Sequence, residues 1–256
     1  MKKKFDNGRL LNLVSIAFLI FLWVLISSRY PAFFPSPAQT FERLKTLLHN
    51  PIGKFTIWAH IGASLQRVVI ALAFSIVAGT LLGVAMGWNQ WVNAFLNPII
   101  TFLRPIPPIA WIPLMILWFG VGEFPKILLI IIGTIFIIVI NSSSGIRLID
   151  PIYINVGTIY GANTWQMLRH VVFPASLPAI IAGIKIALGC GWGVVVAAEM
   201  IASKRGLGFL IIRGSDSLDY PLVMIGMILI GVIGAAISAA FSLLERRICV
   251  WSNQRQ

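Results

Sequence analysis

Long runs of apolar residues, interrupted by few charges, restrict this chain more than any other feature of its sequence. About 20 apolar residues in a helix cross the hydrocarbon core of a bilayer. Backbone groups at that depth must bond within their own segment, so the runs are predicted to be helices. They are too continuous for barrel strands, whose two faces alternate. The six predicted spans have their cores at residues 11–26, 68–88, 95–119, 126–140, 177–201 and 223–244.

The composition agrees with an all-α membrane protein and argues against binding to nucleic acid. Charged residues make up 11% of the 256 residues and hydrophobic residues 58%, whereas soluble domains carry about 25% charged residues. The net charge is +12, but the basic residues stand between apolar runs and form no patch. They are expected to contact anionic lipid headgroups at the cytoplasmic face, and no nucleic acid is expected as a partner.

One transmembrane domain is predicted to occupy residues 1–256. Its first span extends over 10–28, and the other five spans lie within 62–245. An even number of spans places both termini on one side, and basic flanks mark the cytoplasmic side. Both termini are therefore predicted to be cytoplasmic, although the outer segments carry nearly as many basic residues. The basic residues of the tails are Lys2, Lys3, Lys4, Arg9, Arg246, Arg247 and Arg255.

Residues 36–50, between the first two spans, have the pattern of an amphipathic helix. Ser36 is a favoured N-cap, and Pro37 is favoured at the first helical position. The apolar residues that share one face are Phe41, Leu44, Leu47 and Leu48. This segment is predicted to lie on the membrane surface; a binding site for a soluble partner is the alternative.

Three glycines at intervals of four residues, Gly79, Gly83 and Gly87, mark the second span as a site of close helix packing. Small residues at this spacing let two helix backbones approach each other. The sequence leaves open whether the partner helix belongs to this chain or to a second copy.

The loop at residues 142–176 contains two predicted short helices. The stretch 142–145, three serines and a glycine, is expected to end the preceding helix. Asp150 is then a typical N-cap and Pro151 a typical first residue of a new helix. This helix is predicted to stop at Gly161, and the second to begin at Thr164.

The second short helix is predicted to end before the fifth span, because Pro174 and Pro178 interrupt helices. Trp165 and Leu168 would meet water on this loop unless another protein covered them. The loop is therefore expected to dock on a partner.

Two ionisable residues within the predicted spans are candidates for a translocation path. Arg104 lies in a span broken by prolines, where irregular backbone is buried or lines a cavity. Its guanidinium can bind an oxyanion; alternatively, it reaches the interface along its apolar stem. Glu199 lines the path, pairs with a cation such as Arg104 or Lys185, or is solvated near the outer interface. The prolines of the broken span are Pro98, Pro105, Pro107, Pro108 and Pro113.

No catalytic or metal-binding pattern is visible in the sequence. Cys190 and Cys249 have neither a disulfide framework nor metal-ligand spacing, and the three histidines, His49, His60 and His170, do not cluster. The chain also lacks the glycine-rich signature of nucleotide-binding loops. The protein is therefore not expected to be an enzyme.

The segment from Gly161 to Pro174 resembles the cytoplasmic loop motif of ATP-binding cassette importer permeases. That motif is Glu-Ala-Ala, three residues, glycine, nine residues, and then Ile-x-Leu-Pro. Here nine residues separate Gly161 from the sequence Val-Val-Phe-Pro at 171–174. The sequence Asn-Val-Gly at 155–157 stands where Glu-Ala-Ala is usual.

The resemblance covers nearly the whole chain. Other stretches are similar to the subgroup of these permeases that imports nitrate, aliphatic sulfonates, taurine, bicarbonate and compounds like thiamine precursors. These stretches are residues 34–37, 103–108, 118–122, 197–200, 206–208 and 244–247.

The resemblance implies the fold of a type I importer permease, with coupling helices in the loop 142–176, in a bacterial inner membrane. The expected partners are a second copy of this chain, two cytoplasmic ATPase subunits and an extracytoplasmic binding protein that delivers a small anion such as a sulfonate, taurine or nitrate. This chain is expected to bind no cofactor, while ATP and Mg²⁺ bind to the ATPase. The implied coupling residues are Tyr160, Gly161, Ala162, Trp165, Leu168, Arg169 and Pro174.

A secondary transporter or channel is the main alternative, because broken helices also occur in those proteins. No internal repeat is visible between the two halves of the chain, however, and neither class needs a docking loop. A membrane scaffold without a transport role is a third interpretation.

Overall fold

The computed structural model describes residues 3–248, except for the side chains of residues 3–10, 12, 13 and 202. The predicted contributions of Lys2, Cys249 and Arg255 lie outside the described residues. The described chain is helical, apart from turns and one isolated bridge between Ile52 and Phe55. Its α-helices are α1 (Lys3–Arg29), α2 (Pro37–His49), α3 (Ile57–Trp88), α4 (Gln90–Leu103), α5 (Ile112–Phe119), α6 (Glu123–Arg147), α7 (Pro151–Ile159), α8 (Thr164–Met167), α9 (Phe173–Ala202), α10 (Leu207–Asp216) and α11 (Tyr220–Ile248).

Four helical stretches in the described part of the chain are long and apolar enough to cross a membrane. They are α3, α6, α11 and the continuous helix that runs from α8 into α9. A fifth crossing is formed if α4 and the helical segment Pro108–Phe119, which meet at 86°, act as one broken span. The first predicted span, with its core at 11–26, falls in α1, whose apolar part, Val14–Arg29, is shorter than the four long helices.

The glycine pattern of α3 packs against α6 of the same chain. A Cβ atom placed on Gly79, Gly83 or Gly87 would lie 2.5 to 3.0 Å from the Cβ atoms of α6 residues. These are Ile138, Ser142 and Ile146, in the same order along the chain. The two helices are therefore parallel, and the question left open by the sequence is settled in favour of packing within one chain.

The prediction that residues 142–145 end a helix is wrong, since α6 continues to Arg147. Ser142 and Ser143 are buried. A Cβ atom on Gly145 would lie 2.5 Å from that of Ala179 on α9. The small residues thus provide room for α3 and α9 against α6 and do not stop the helix.

The prediction that Pro174 and Pro178 separate the loop from the fifth span is also wrong. A π-helical turn, Leu168–Val172, connects α8 to α9 without a break. In this wider turn the Phe173 N–H donates to the Leu168 carbonyl. Pro174 follows directly, in the first turn of α9. Its missing N–H costs little there because the regular hydrogen bonds between residues four apart are already interrupted by the π-helical turn.

The remaining long helices give the bundle two distinct ends. α9 is antiparallel to α6, because Gly183 faces Asn141 and Gly191 faces Thr134. The helices α7 and α8 lie where α6 ends and α9 begins, and this is named the α7–α8 end. The opposite end carries α10, which folds back on α9 and α11, and is named the α10 end.

The predicted amphipathic segment forms α2. Ser36 and Gln39 make a reciprocal capping box at its start. Arg43 Nη2 lies 2.6 Å from Asp219 Oδ2, and Leu47 is buried in the main core. Thus α2 is fastened to the α10 end of the bundle, beside the turn that precedes α11.

Candidate functional site

The turn between α7 and α8 is specified by local sequence. The Asp150 carboxylate accepts a hydrogen bond from the Ile152 N–H at 2.9 Å. Asn163 and Gln166 form a second capping box at the start of α8. Between the helices Gly161 has φ +70°, a conformation that costs residues with a Cβ atom about 1–2 kcal/mol. The predicted interruption at Gly161 is therefore present.

Large apolar side chains project from this turn into open space. Tyr160 is 86% exposed and Trp165 is 68% exposed. A Cβ atom on Gly161 would meet nothing within 4 Å. The other exposed apolar side chains of the same loop are Leu148, Ile152, Tyr153, Val156 and Ile159. Together with Tyr160 and Trp165 they are named the apolar loop surface.

The residues predicted for coupling separate into two groups. Tyr160, Gly161, Trp165, Arg169 and Pro174 are exposed. Ala162 and Leu168 instead pack inward, on the small cluster formed by Ile146, Ile149, Met167 and Val172. The expectation that Leu168 would meet water is therefore wrong, because Leu168 helps to hold the short helices against the bundle.

The stretch that departs from the family motif also has a packing role. A Cβ atom on Gly157 would lie 2.6 Å from Cε of Met167. Glycine at this position lets α7 approach the Met167 side chain closely. Asn155, at the position where the motif has glutamate, is exposed.

Glu199 belongs to a cluster of charges at the α10 end that is buried except for Glu123, whose side chain is 48% exposed. The Oε1 atom of Glu199 lies 2.5 Å from Nη1 of Arg67. Its Oε2 atom accepts a hydrogen bond from the Gly208 N–H at 3.0 Å, and the Ser64 hydroxyl lies within 2.9 Å of both oxygens. Arg67 in turn donates to Glu123 at 2.6 and 2.8 Å.

Ion pairs and hydrogen bonds within this cluster connect four helices. Arg67 lies on α3, Glu123 begins α6, Glu199 lies on α9, and Gly208 lies in α10. Lys126 is buried with its ammonium 3.5 Å from Glu123, so two cations face two carboxylates. The name charge cluster is used for Arg67, Glu123, Lys126 and Glu199 together with Gly208, whose N–H donates to Glu199. The charge cluster holds together the ends of the helices that surround it.

Glu199 forms an ion pair, which was one of its predicted roles, but neither Arg104 nor Lys185 is its partner, and its predicted placement in solvent is wrong. Lys185 lies about 21 Å away along the same helix and bonds Glu245 at 2.8 Å. Arg67 is the actual partner. Sequence reasoning missed it, although it is an arginine close to the start of a long apolar run, where a charge needs a partner.

Arg104 lies in a different environment, at the bend between α4 and the segment Pro108–Phe119. It lines a cavity of about 440 Å³ whose other walls include Ile137, Asn141 and Ile186. A second cavity, of about 330 Å³ and almost wholly apolar, contains Cys190 in its wall. The two cavities share Pro108 and Gly133 as lining residues. The two cavities are therefore adjacent to each other, beside the broken span, α6 and α9.

Comparison with known proteins places the chain among transport proteins. Residues 75–249 match the family described as binding-protein-dependent transport system inner membrane component. The taurine transport system permease protein TauC of Escherichia coli strain K12 is 36% identical over 251 residues, covering 96% of this chain and 91% of TauC. The nitrate import permease protein NrtB of Synechocystis sp. strain PCC 6803 is 32% identical, covering 91% of this chain and 86% of NrtB.

The fold agrees with a solved member of the same class. An inward-facing structure of the MetNI methionine ABC transporter superposes with a TM-score of 0.67 at 19% identity, covering 75% of this chain and 97% of that one. The predicted type I importer permease fold is thereby confirmed. The alternatives of a gradient-driven transporter, a channel and a scaffold are disfavoured, since the matches above are importer permeases. The chain is a multi-pass inner-membrane protein and belongs to the family of binding-protein-dependent transport system inner membrane components.

Proposed function

We propose that this permease forms the membrane path of an ATP-driven importer whose ATPase subunits dock on the apolar loop surface. The observation that carries the proposal is the exposure of Tyr160 and Trp165 at a turn held rigid by two capped helices. Isolated exposed apolar residues are common, but seven large ones on a single short loop favour a binding surface. Aromatic residues are also the ones that contribute most binding energy in such interfaces.

The proposed assembly contains two copies of this chain, two ATPase subunits and a binding protein. The α7–α8 end faces the cytoplasm and the ATPases, and both termini are cytoplasmic. The binding protein delivers its solute at the α10 end. ATP and Mg²⁺ bind to the ATPase subunits.

Packing within the bundle supports a rigid-body mechanism. The glycines of α3 hold α3 and α6 in close contact, and the charge cluster joins these helices to α9 and α10. Closely packed cores transmit displacement without deforming continuously. When ATP draws the ATPases together, the displacement of α7 and α8 is passed to the whole bundle, which changes the end at which the path is open.

A small organic or inorganic oxyanion is the proposed solute. TauC and NrtB are permeases for taurine and nitrate, and both solutes present oxygen atoms that carry negative charge. The larger of the two cavities described above is lined by one arginine, Arg104, among mostly apolar residues. A guanidinium group suits such oxygens because its donors form a planar fork.

The test is ATP hydrolysis by the reconstituted complex. The permease is coexpressed with a candidate ATPase subunit, placed in liposomes, and supplied with a candidate binding protein, with and without taurine, ethanesulfonate or nitrate. Stimulation by one loaded binding protein supports the importer and identifies the solute. Failure of any ATPase to copurify, with no response of hydrolysis to loaded binding protein, contradicts the proposal.

A further inference from the structure

The charge cluster at the α10 end and Lys185 on α9 are neutralised by ion pairs, whereas Arg104 is not. Arg67, Lys126, Lys185 and Glu199 each have an opposite charge within 4.0 Å. Arg104 takes part in none of the ion pairs formed among the side chains that the structure describes. The Arg104 guanidinium is therefore available for a partner from outside the described chain.

The position of Arg104 makes an unpaired charge expensive. Along α6, the residues that line this cavity run from Ile132 to Asn141. The cavity is therefore beside the middle part of that spanning helix and away from both helix ends. An arginine at the centre of a spanning helix costs about 2.5–3.5 kcal/mol in insertion experiments. Irregular backbone and charge at this depth are tolerated where they line a water-filled path. The bend at Arg104 has both features.

Asn141 supplies the other polar side chain of this cavity. Its Nδ2 atom donates to the Ile137 carbonyl at 2.8 Å, which fixes the amide against α6. Among the described residues the amide oxygen of Asn141 has no hydrogen-bond donor of its own. The remaining walls of the cavity are aliphatic residues, Phe136, Pro108 and Gly133. One cation and one amide in an apolar surround is typical of a small-molecule site.

We propose that Arg104 and Asn141 form a binding site inside the membrane for a small organic anion of the aminoalkanesulfonate class. The sulfonate oxygens accept hydrogen bonds from the Arg104 guanidinium. The ammonium group donates to the Asn141 amide oxygen. The proposal rests on the proposed function, because an anion site at this depth is useful only along a translocation path.

The site would give the permease a selectivity of its own, in addition to that of the binding protein. A solute released at the α10 end would lose hydrogen bonds to water and gain hydrogen bonds from the Arg104 guanidinium when it reaches the middle of the bundle. The apolar walls would favour a short alkyl chain between the two polar groups. A weak site of this kind lets the solute pass, whereas a tight one would trap it.

The experiment measures uptake of radiolabelled taurine and ethanesulfonate by the full complex in proteoliposomes. The variants are Arg104→Gln, Arg104→Lys and Asn141→Leu. Arg29→Gln, which removes an exposed arginine from α1, is the matched control. Stimulation of ATP hydrolysis by loaded binding protein is recorded for every variant, because it reports assembly and coupling independently of the proposed site.

Arg104→Gln is expected to lower the uptake of both solutes by about tenfold or more, the effect of losing a charge-assisted hydrogen bond. Stimulated hydrolysis should stay within twofold of the wild type. Arg104→Lys should retain intermediate uptake. Asn141→Leu should reduce taurine uptake while sparing ethanesulfonate, which has no ammonium group. Arg29→Gln should transport both solutes normally.

Uptake by Arg104→Gln within twofold of the wild type overturns the site, even though the importer itself stands. Equal losses of taurine and ethanesulfonate uptake in Asn141→Leu overturn the role of Asn141. A wild-type complex that hydrolyses ATP without importing either solute contradicts the proposed solute class and the site together. If Arg104→Gln fails to assemble, Arg104→Lys and Asn141→Leu decide the question by the same criteria.

Discussion

Arg67 on α3 and Glu199 on α9 form a buried ion pair in which Nη1 lies 2.5 Å from Oε1. The Arg67 side chain is 2% exposed, and that of Glu199 is fully buried. The same guanidinium also binds Glu123 at the start of α6. A single arginine therefore ties together three helices that are distant in sequence, at the end of the bundle opposite the apolar loop surface.

Removing the cation should destabilise the protein strongly. Arg67→Met leaves the Glu199 carboxylate buried without its charge partner, and breaking a buried pair in this way costs about 3–5 kcal/mol. We expect a clear fall in the thermal midpoint of the purified permease in detergent. The double variant Arg67→Met, Glu199→Gln should recover part of the loss, because no unpaired charge remains at position 199. An unchanged midpoint in Arg67→Met would contradict the proposed structural role of the charge cluster.

Replacing Gly161 should uncouple the importer without unfolding the permease. In Gly161→Leu the new Cβ atom meets nothing within 4 Å in this chain, so the main clash is expected with the docked ATPase. We expect the complex to assemble and hydrolyse ATP while uptake is lost, as measured in proteoliposomes.

The matched control for Gly161 is Gly53→Leu. Gly53 also has a positive φ, +64°, and open space around its Cβ position. It lies in the turn before α3, far from α7 and α8 in sequence. The backbone strain in the two variants is similar, so a loss of uptake in both would attribute the effect of Gly161→Leu to strain and not to docking.

Truncating the apolar loop surface should weaken the hold on the ATPase. Tyr160→Ala and Trp165→Ala each remove an exposed aromatic side chain, and anchors of this kind contribute about 2 kcal/mol or more to an interface. We expect the double variant to lose the ATPase during purification at dilutions at which the wild type retains it. Trp58→Ala, which removes an exposed tryptophan at the start of α3, should retain it; equal retention by the double variant would show that the ATPase binds elsewhere.

Two glycines of spanning helices should respond in opposite ways to alanine. A Cβ atom on Gly83 would lie 2.5 Å from Cβ of Ser142 and 2.7 Å from the Val139 carbonyl oxygen. Gly83→Ala therefore forces α3 and α6 apart, and we expect a lower thermal midpoint and a lower yield. Gly189 on α9 has no neighbour within 4 Å of its Cβ position, so Gly189→Ala should be tolerated. A similar loss in both variants would indicate a general effect of helical glycines.

The sequence predicted correctly the helix caps and the turn that depend on neighbouring residues alone. The caps at Ser36 and Asp150 and the turn at Gly161 lie where the sequence indicates, because each depends on a few neighbouring residues. The spacing of Gly79, Gly83 and Gly87 likewise predicted close packing, though not the partner helix.

Contacts between distant segments were beyond sequence reasoning. Arg67, Glu123 and Glu199 meet only because α3, α6 and α9 are brought together by packing along their whole length. The serines at 142–144 resemble a helix stop when considered alone, but they continue α6, and Ser142 and Ser143 are buried against neighbouring helices. Pro174 resembles a helix break, but the helix continues because the π-helical turn before it already lacks the regular hydrogen bond that proline cannot make.

The most direct test of this account is ATP-dependent uptake by proteoliposomes that contain the permease, its ATPase and the binding protein. Radiolabelled taurine is supplied on the side of the binding protein, and ATP is supplied on the other side. We predict that taurine accumulates inside only when ATP and the binding protein are both present, and that Gly161→Leu abolishes the accumulation. Uptake that continues without ATP, or that follows an imposed ion gradient instead, would contradict the account.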